Sequence, residues 1–273
     1  MAIRLPDVTL AADIIGDGPP LLLLHGALGD RRTLAPVAAQ LADRWRLVVP
    51  TQRHFGPAPR SVGIKRFGTA SQAEDLVVML DALGLARAHV VAWSFSAHST
   101  LAAALDAPER IRSLFLYEPG FPTFVTDAAA QAEISADGAR AFGPVAKAAQ
   151  RGDWAEAARD LIDAAAGTVG WFDAQPPEVR QIHLDNADTI GLLFSQTPPV
   201  PIAAGDLARL VVPTTLAWGA DTTATYRLVS QAAAQAIPGA RSIVVPAAGH
   251  LLPEADPIRF ARLIAAHLEG AEG

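Results

Sequence analysis

The sequence predicts an α/β fold: a mostly parallel central sheet with helices on both faces, and a helical cap inserted between strands six and seven. Three observations predict it. Short, continuously apolar runs such as residues 21–24 have the character of strands buried on both faces. Stretches with helical spacing alternate with these runs, the pattern of a parallel sheet built from strand–helix units. That rhythm breaks only between Pro119 and Leu210, where alanine-rich helical sequence stands in place of strands.

In chain order, residues 8–15 form a β-rich run that ends in the turn cluster Gly16-Asp17-Gly18-Pro19-Pro20. The buried strand 21–24 follows, then helical spacing over 34–42, with Thr33 as its cap and Pro36 in the first turn. Residues 47–49 form the next strand, and the amphipathic helix 73–83 closes at Gly84. A strand at 89–92, a helix at 95–105 stopped before Pro108, and a strand at 114–117 complete the first part. In the inserted region Asp153 caps a helix over 154–166 that stops at Gly167, and a second helix spans 178–193 after Pro176-Pro177. Strand 214–218, helix 225–236, strand 242–245 and helix 258–268 resume the alternation. The chain therefore divides into a first core part, 1–118, a helical cap insertion, 119–210, and a second core part, 211–273.

Composition narrows the function. The 273 residues are 51% hydrophobic and contain no cysteine, which excludes disulfides, thiol nucleophiles and thiolate metal sites. A net charge of −6, with no Lys/Arg cluster, argues against nucleic acid as a partner. The N-terminus lacks the apolar core of a signal peptide, and residues 21–24 are far short of a membrane span. The expectation is a cytoplasmic protein acting on a small molecule. No histidine pair or carboxylate cluster has metal-ligand spacing and no phosphate-binding glycine loop occurs, so no metal and no cofactor are expected.

The sharpest local motif is Val90-Val91-Ala92-Trp93-Ser94-Phe95-Ser96-Ala97, a buried strand running straight into a helix through serine. A serine on such a turn adopts strained backbone angles and needs small residues two positions either side. Ala92 and Ser96 fit Ser94, whereas a frame centred on Ser96 would set the bulky His98 at that position. Glycine is usual at both flanks and is absent from both here. After residues 21–24 comes His25-Gly26-Ala27, where the Ala27 N–H, paired with that of Phe95, is placed to stabilise an oxyanion; His25 itself reads as structural. Gly249-His250 follows the last strand, where a loop histidine can act as general base.

Taken in order, the His25-Gly26 loop, the Ser94 elbow, the helical interval, Trp218-Gly219 and Gly249-His250 resemble the α/β-hydrolase superfamily along nearly the whole chain. The resemblance implies a nucleophile, an acid and a histidine in that chain order, making Ser94 the nucleophile and His250 the base. Members commonly carry an aspartate three residues after the glycine ending strand seven, a position held here by Thr222, with Asp221 one residue early. Other members, including zearalenone-type lactone hydrolases, carry the acid after strand six, where Glu118 stands. Glu118 is the favoured acid and Asp221 the alternative.

Trp93, His54, Trp154, Trp171, Phe172 and Phe194 are candidates for the pocket wall; Arg53 matches the Asp-x-Arg-Gly pattern common in the His54 loop, while His183 reads as solvated. The implied activity is cofactor-independent hydrolysis of a small or mid-sized hydrophobic ester or lactone through an acyl-enzyme. The alternatives are hydrolysis of a carbon–carbon bond in a diketone-like substrate, or a receptor-like binding member with little turnover.

Overall fold

The computed structural model describes residues 1–57, 66–195 and 199–272. The strands are β1 (Ala2–Arg4), β2 (Thr9–Ile15), β3 (Pro20–Leu24), β4 (Arg46–Pro50), β5 (Ala88–Trp93), β6 (Ile111–Tyr117), β7 (Thr214–Gly219) and β8 (Arg241–Val245). They form one sheet in the order β1-β2-β4-β3-β5-β6-β7-β8. β1 and β2 pair antiparallel at one edge, and every pairing from β4 to β8 is parallel. Parallel neighbours require crossovers, and helices supply them.

Alternate residues of each central strand point to opposite faces. Leu22, Leu24, Val90, Ala92 and Leu116 pack in one cluster with residues of α2 (Thr69–Ala82), α3 (Phe95–Asp106) and α10 (Ala224–Ala236). Leu21, Leu23, Val91, Phe115 and Ala217 pack in the other with residues of α1 (Arg31–Ala39) and α12 (Pro257–Glu272). Burial on both faces is why these strands read as unbroken apolar runs.

Between β6 and β7 lie α4 (Ala128–Gln150), α5 (Trp154–Ala166), α6 (Trp171–Ala174), α7 (Pro177–Asp185), α8 (Thr189–Ser195) and α9 (Ala204–Leu207). Two local expectations need correction. The helix expected over 178–193 is two helices, because the Asn186 side chain bonds to Ile182 O and Asp30 Oδ2 while Thr189 Oγ1 bonds back to Asn186 O. The cap of α1 is Asp30, which accepts from Arg32 N at 2.9 Å; Thr33 instead accepts from Asp30 N at 3.2 Å, closing a reciprocal capping box.

Beneath the sheet a buried chain of polar groups joins four elements, β5, β6, β7 and α12. Ser113 Oγ lies 2.7 Å from His89 Nδ1 and 2.8 Å from His267 Nε2, and His267 Nδ1 lies 2.8 Å from Thr215 Oγ1. Burial, reinforced by nearby arginines, pushes both imidazoles down to about 4. Between about pH 6.5 and 4 the unfolded chain therefore binds protons that the folded chain refuses. The stability from these neutral rings is complete above that window and is lost as pH falls through it. We expect the melting temperature to fall by on the order of 5 °C or more between pH 7 and 4.5. His89→Asn, which keeps a polar group for Ser113 but takes no proton, should flatten that slope in thermal melts across the same range.

Candidate active site

Ser94 links the end of β5 to the first turn of α3 with φ 59° and ψ −115°. A non-glycine residue held there is strained, and the strain lifts its side chain clear of the helix. The neighbouring small residue explains how the turn fits. Ser96 Oγ lies 3.0 Å from both Leu24 O and Trp93 O, so it ties the end of β3 to the elbow instead of facing the cavity. Gly26 eases the same approach: a Cβ there would come within 3.2 Å of the Ser94 Cβ, so one of the two would have to shift by a few tenths of an ångström.

His250 stands in the loop after β8. Its Nδ1 lies 2.7 Å from Glu118 Oε2 and its Nε2 2.9 Å from Ser94 Oγ. A carboxylate only accepts, so Nδ1 carries the ring proton and Nε2 is left to accept from the serine hydroxyl. The Glu118 carboxylate also accepts from Gly219 N at 2.7 Å and from Thr222 Oγ1 at 2.8 Å. Glu118 itself adopts a positive φ of 48°, turning the chain just past β6 so that its side chain lies beneath the β7 end. Asp221, the alternative acid, is exposed; its contribution is a backbone N–H donated to Ala248 O at 2.9 Å. The histidine loop is pinned further by Tyr117 Oη–H to Gly249 O at 2.7 Å and Trp93 Nε1–H to His250 O at 3.0 Å.

Phe95, in the first turn of α3, and Ala27, in the loop after β3, line the same cavity as Ser94, and each carries a backbone N–H. Neither donates to another backbone group among the described residues. His25 holds this loop. Its Nε2 accepts from Gln52 N at 3.0 Å and its Nδ1–H donates to Gly26 O at 2.8 Å, while burial pushes its pKa down to about 4. The loop is gripped from the insertion as well. His183 Nδ1 lies 3.2 Å from Leu28 O and its Nε2 3.1 Å from Glu254 Oε2. Burial opposes a charge on His183, but the Glu254 carboxylate outweighs it and holds the pKa above the ordinary histidine value. The expectation that His183 is solvated is therefore wrong, since its ring is buried between α7 and the Leu28 turn.

A cavity of about 220 Å³ opens over Ser94 and His250. Trp93 and Phe194 belong to its wall, with Phe121, Phe142, Leu161 and Ile162. Four expected wall residues lie elsewhere. Trp154 packs against Gly191 inside the insertion, and Phe172 is buried beneath Arg159 and beside His183. Trp171 joins the same internal cluster, whereas the His54 ring turns toward Phe67 and places Nε2 2.6 Å from Arg66 O. The helices of the insertion need these aromatics for their own packing. Arg53 forms a two-pronged pair with Asp75, at 2.7 and 2.6 Å, behind the site.

One residue was missed. Tyr226, in the first turn of α10, lies flat on the His250 ring with centroids 3.5 Å apart and planes 6° from parallel. Nothing in the spacing of Tyr226 from His250 marks it; only its place a few residues past β7, where the acid loop ends, hints at proximity. Its phenol is held well above the usual range by burial, helped by the Glu118 and Asp137 carboxylates. Among the described residues no three His, Asp or Glu side chains converge as a metal site.

This arrangement can pass a proton from a serine hydroxyl to an oriented imidazole beside two unengaged N–H donors, the apparatus of nucleophilic acyl transfer. Comparison with known proteins agrees on the fold. Residues 19–257 match the alpha/beta hydrolase fold family, and the chain belongs to it. A thermophilic esterase from Thermogutta terrifontis superposes with a TM-score of 0.76 at 23% identity, covering 100% of this chain and 99% of that one. Over 98 residues, 36% of each chain, this protein is 37% identical to the carbamate hydrolase RutD of Caulobacter vibrioides. Over 108 residues, 37% of this chain and 38% of the relative, it is 35% identical to 2-hydroxy-6-oxo-2,4-heptadienoate hydrolase of Pseudomonas putida. The matches thus span little more than a third of these curated relatives. No helix among the described residues is long and apolar enough to cross a membrane.

The histidine loop supplies a test of the geometry. A Cβ on Gly219 would collide with Ala248 O, two residues before His250. Gly219→Ala should cost about 1–3 kcal/mol of stability in denaturant melts and displace the histidine loop. An unchanged melt would show that this approach is not tight in solution.

Proposed function

We propose that this protein is a serine hydrolase of neutral, small or mid-sized hydrophobic esters or lactones. The observation that carries the reading is the single ring of His250 bridging Glu118 and Ser94 beneath an apolar cavity. Ser94 Oγ attacks the substrate carbonyl as His250 Nε2 takes its proton, and Glu118 stabilises the imidazolium. The Ala27 and Phe95 N–H groups receive the oxyanion. His250 then returns the proton to the departing alkoxide, leaving Ser94 acylated. Water, deprotonated by the same histidine, attacks the acyl group and releases the acid and the free serine.

The helices between β6 and β7 act as a cap, since Phe142 of α4, Ile162 of α5 and Phe194 of α8 face the cavity. Their apolar wall selects hydrophobic acyl or alcohol groups, and the volume suits a small molecule. Among the described residues no Lys or Arg lines the cavity. That favours a neutral substrate over a carboxylate such as the dienoate of the Pseudomonas relative, which would enter without a counter-charge. No cofactor takes part in this scheme.

A panel of 4-nitrophenyl esters, neutral lactones and a dienoate diketone tests the reading. We expect turnover of the neutral substrates and at least tenfold lower kcat/KM for the anionic one. The reverse order would make carbon–carbon hydrolysis the better assignment. Ser94→Ala should abolish ester turnover with the melt unchanged; a folded wild type without any turnover would instead support a binding member. Glu118→Gln should lower kcat by about three to four orders of magnitude, the loss seen when a triad acid is made neutral. Asp221→Asn should stay within about twofold, because surface substitutions away from such contacts have small effects. Opposite ranking in steady-state assays would move the acid to Asp221.

A further inference from the structure

Resting on the hydrolase reading, we propose that Tyr226 is a positioning residue for catalysis, whose ring face holds His250 and stabilises the imidazolium formed when Ser94 gives up its proton. With centroids 3.5 Å apart and planes 6° from parallel, the two rings lie face to face, nearer than the roughly 4.5–7 Å of offset or edge-on pairs. Two neutral aromatic rings disfavour that face-to-face arrangement, because their quadrupoles repel. A cation over the same face is attracted. The stack is therefore matched to protonated His250 and not to the resting ring. An interaction that strengthens as charge develops lowers the barrier, whereas one of constant strength does not.

The stack is held from outside. Thr223 at the head of α10 makes no side-chain cap, and Asp137 of α4 takes that role, its Oδ2 accepting from Thr225 N at 2.9 Å and from Thr225 Oγ1 at 2.7 Å. This fixes the helix turn that carries Tyr226. On the other side of the loop Trp93 closes on His250 at 5.6 Å between centroids and holds its carbonyl through the indole N–H. The ionisable groups that face His250 are Glu118 from the end of β6, Ser94 from the elbow and Tyr226 from α10, with Asp137 behind the phenol. Glu118 orients the ring through its edge; Tyr226 supports it through its face.

Steady-state hydrolysis of 4-nitrophenyl butyrate from pH 5 to 9 separates this role from simple packing. Tyr226→Phe keeps the ring face and should retain kcat within about threefold. Tyr226→Leu keeps the wall apolar but removes the π face. It should lower kcat by about 10- to 30-fold, the size of a desolvated cation–π contact, with KM little changed. The acid limb of its kcat/KM profile should also move to lower pH. Tyr226→Met supplies the same comparison if the leucine variant does not melt cooperatively. A leucine or methionine variant with wild-type kcat and acid limb overturns the proposal. So does a phenylalanine variant as impaired as leucine, which would assign the effect to the hydroxyl. Ser94→Ala run alongside keeps the two readings apart: an active Ser94→Ala overturns the hydrolase reading itself, while an inactive one with a wild-type-like Tyr226→Leu overturns the clamp alone.

Discussion

A carboxylate buried without any contact with water must find hydrogen-bond donors around it, and the candidate site is organised by that demand at Glu118. The residue is 0% exposed, and its oxygens meet Gly219 N–H, the Thr222 hydroxyl and His250 Nδ1–H. Each donor comes from a different part of the chain: the end of β7, the loop after it, and the loop after β8. Adjacent parallel strands make the meeting possible, since Trp93 pairs with Tyr117 and Tyr117 with Ala217 across β5, β6 and β7. Satisfying one anion therefore fixes the histidine and docks three strand ends. Thr222 gains a role from the same demand. A second carboxylate at its position would repel Glu118, whereas a hydroxyl there completes its shell.

The inserted helices act on both halves of the site through polar contacts. α7 reaches the loop after β3 through His183 and Leu28 O, and the first turn of α1 behind it through the Arg32–Asp185 pair at 2.7 Å. α4 reaches the other side through Asp137, which caps α10 and so fixes the turn carrying Tyr226. One contact thus supports the segment that carries the Ala27 N–H, and the other the Tyr226 ring stacked on His250. A shift of the insertion would be felt at both, which makes it part of the site's preorganisation as well as its wall.

The sheet was legible because burial on both faces leaves a direct trace in sequence: Leu21-Leu22-Leu23-Leu24 and Val90-Val91-Ala92 permit few other readings. The meeting of Ser94, Glu118 and His250 was legible because each lies at a strand end, and strand order places those ends side by side. What depended on side-chain direction was not. Trp154, Trp171 and Phe172 have the composition of a pocket wall, yet they turn inward and pack with Ala157, Ile162 and Ile190 in the insertion's own core. Tyr226 belongs to a helix start whose rotation is set by Asp137, about ninety residues earlier, and no local pattern encodes that distance. Asn186 breaks a helix that its neighbours would continue, because its side chain serves partners from two other segments.

In the proposed mechanism Glu118, through His250, makes Ser94 a nucleophile. Reaction with an active-site fluorophosphonate reads that directly and needs no substrate. Mass mapping of the labelled protein should find a single adduct on the peptide carrying Ser94, formed in the wild type far faster than in Glu118→Gln at equal folded concentration. Labelling of Ser94 at the same rate in both proteins would show that Glu118 does not activate it, and an adduct at another residue would show that Ser94 is not the nucleophile.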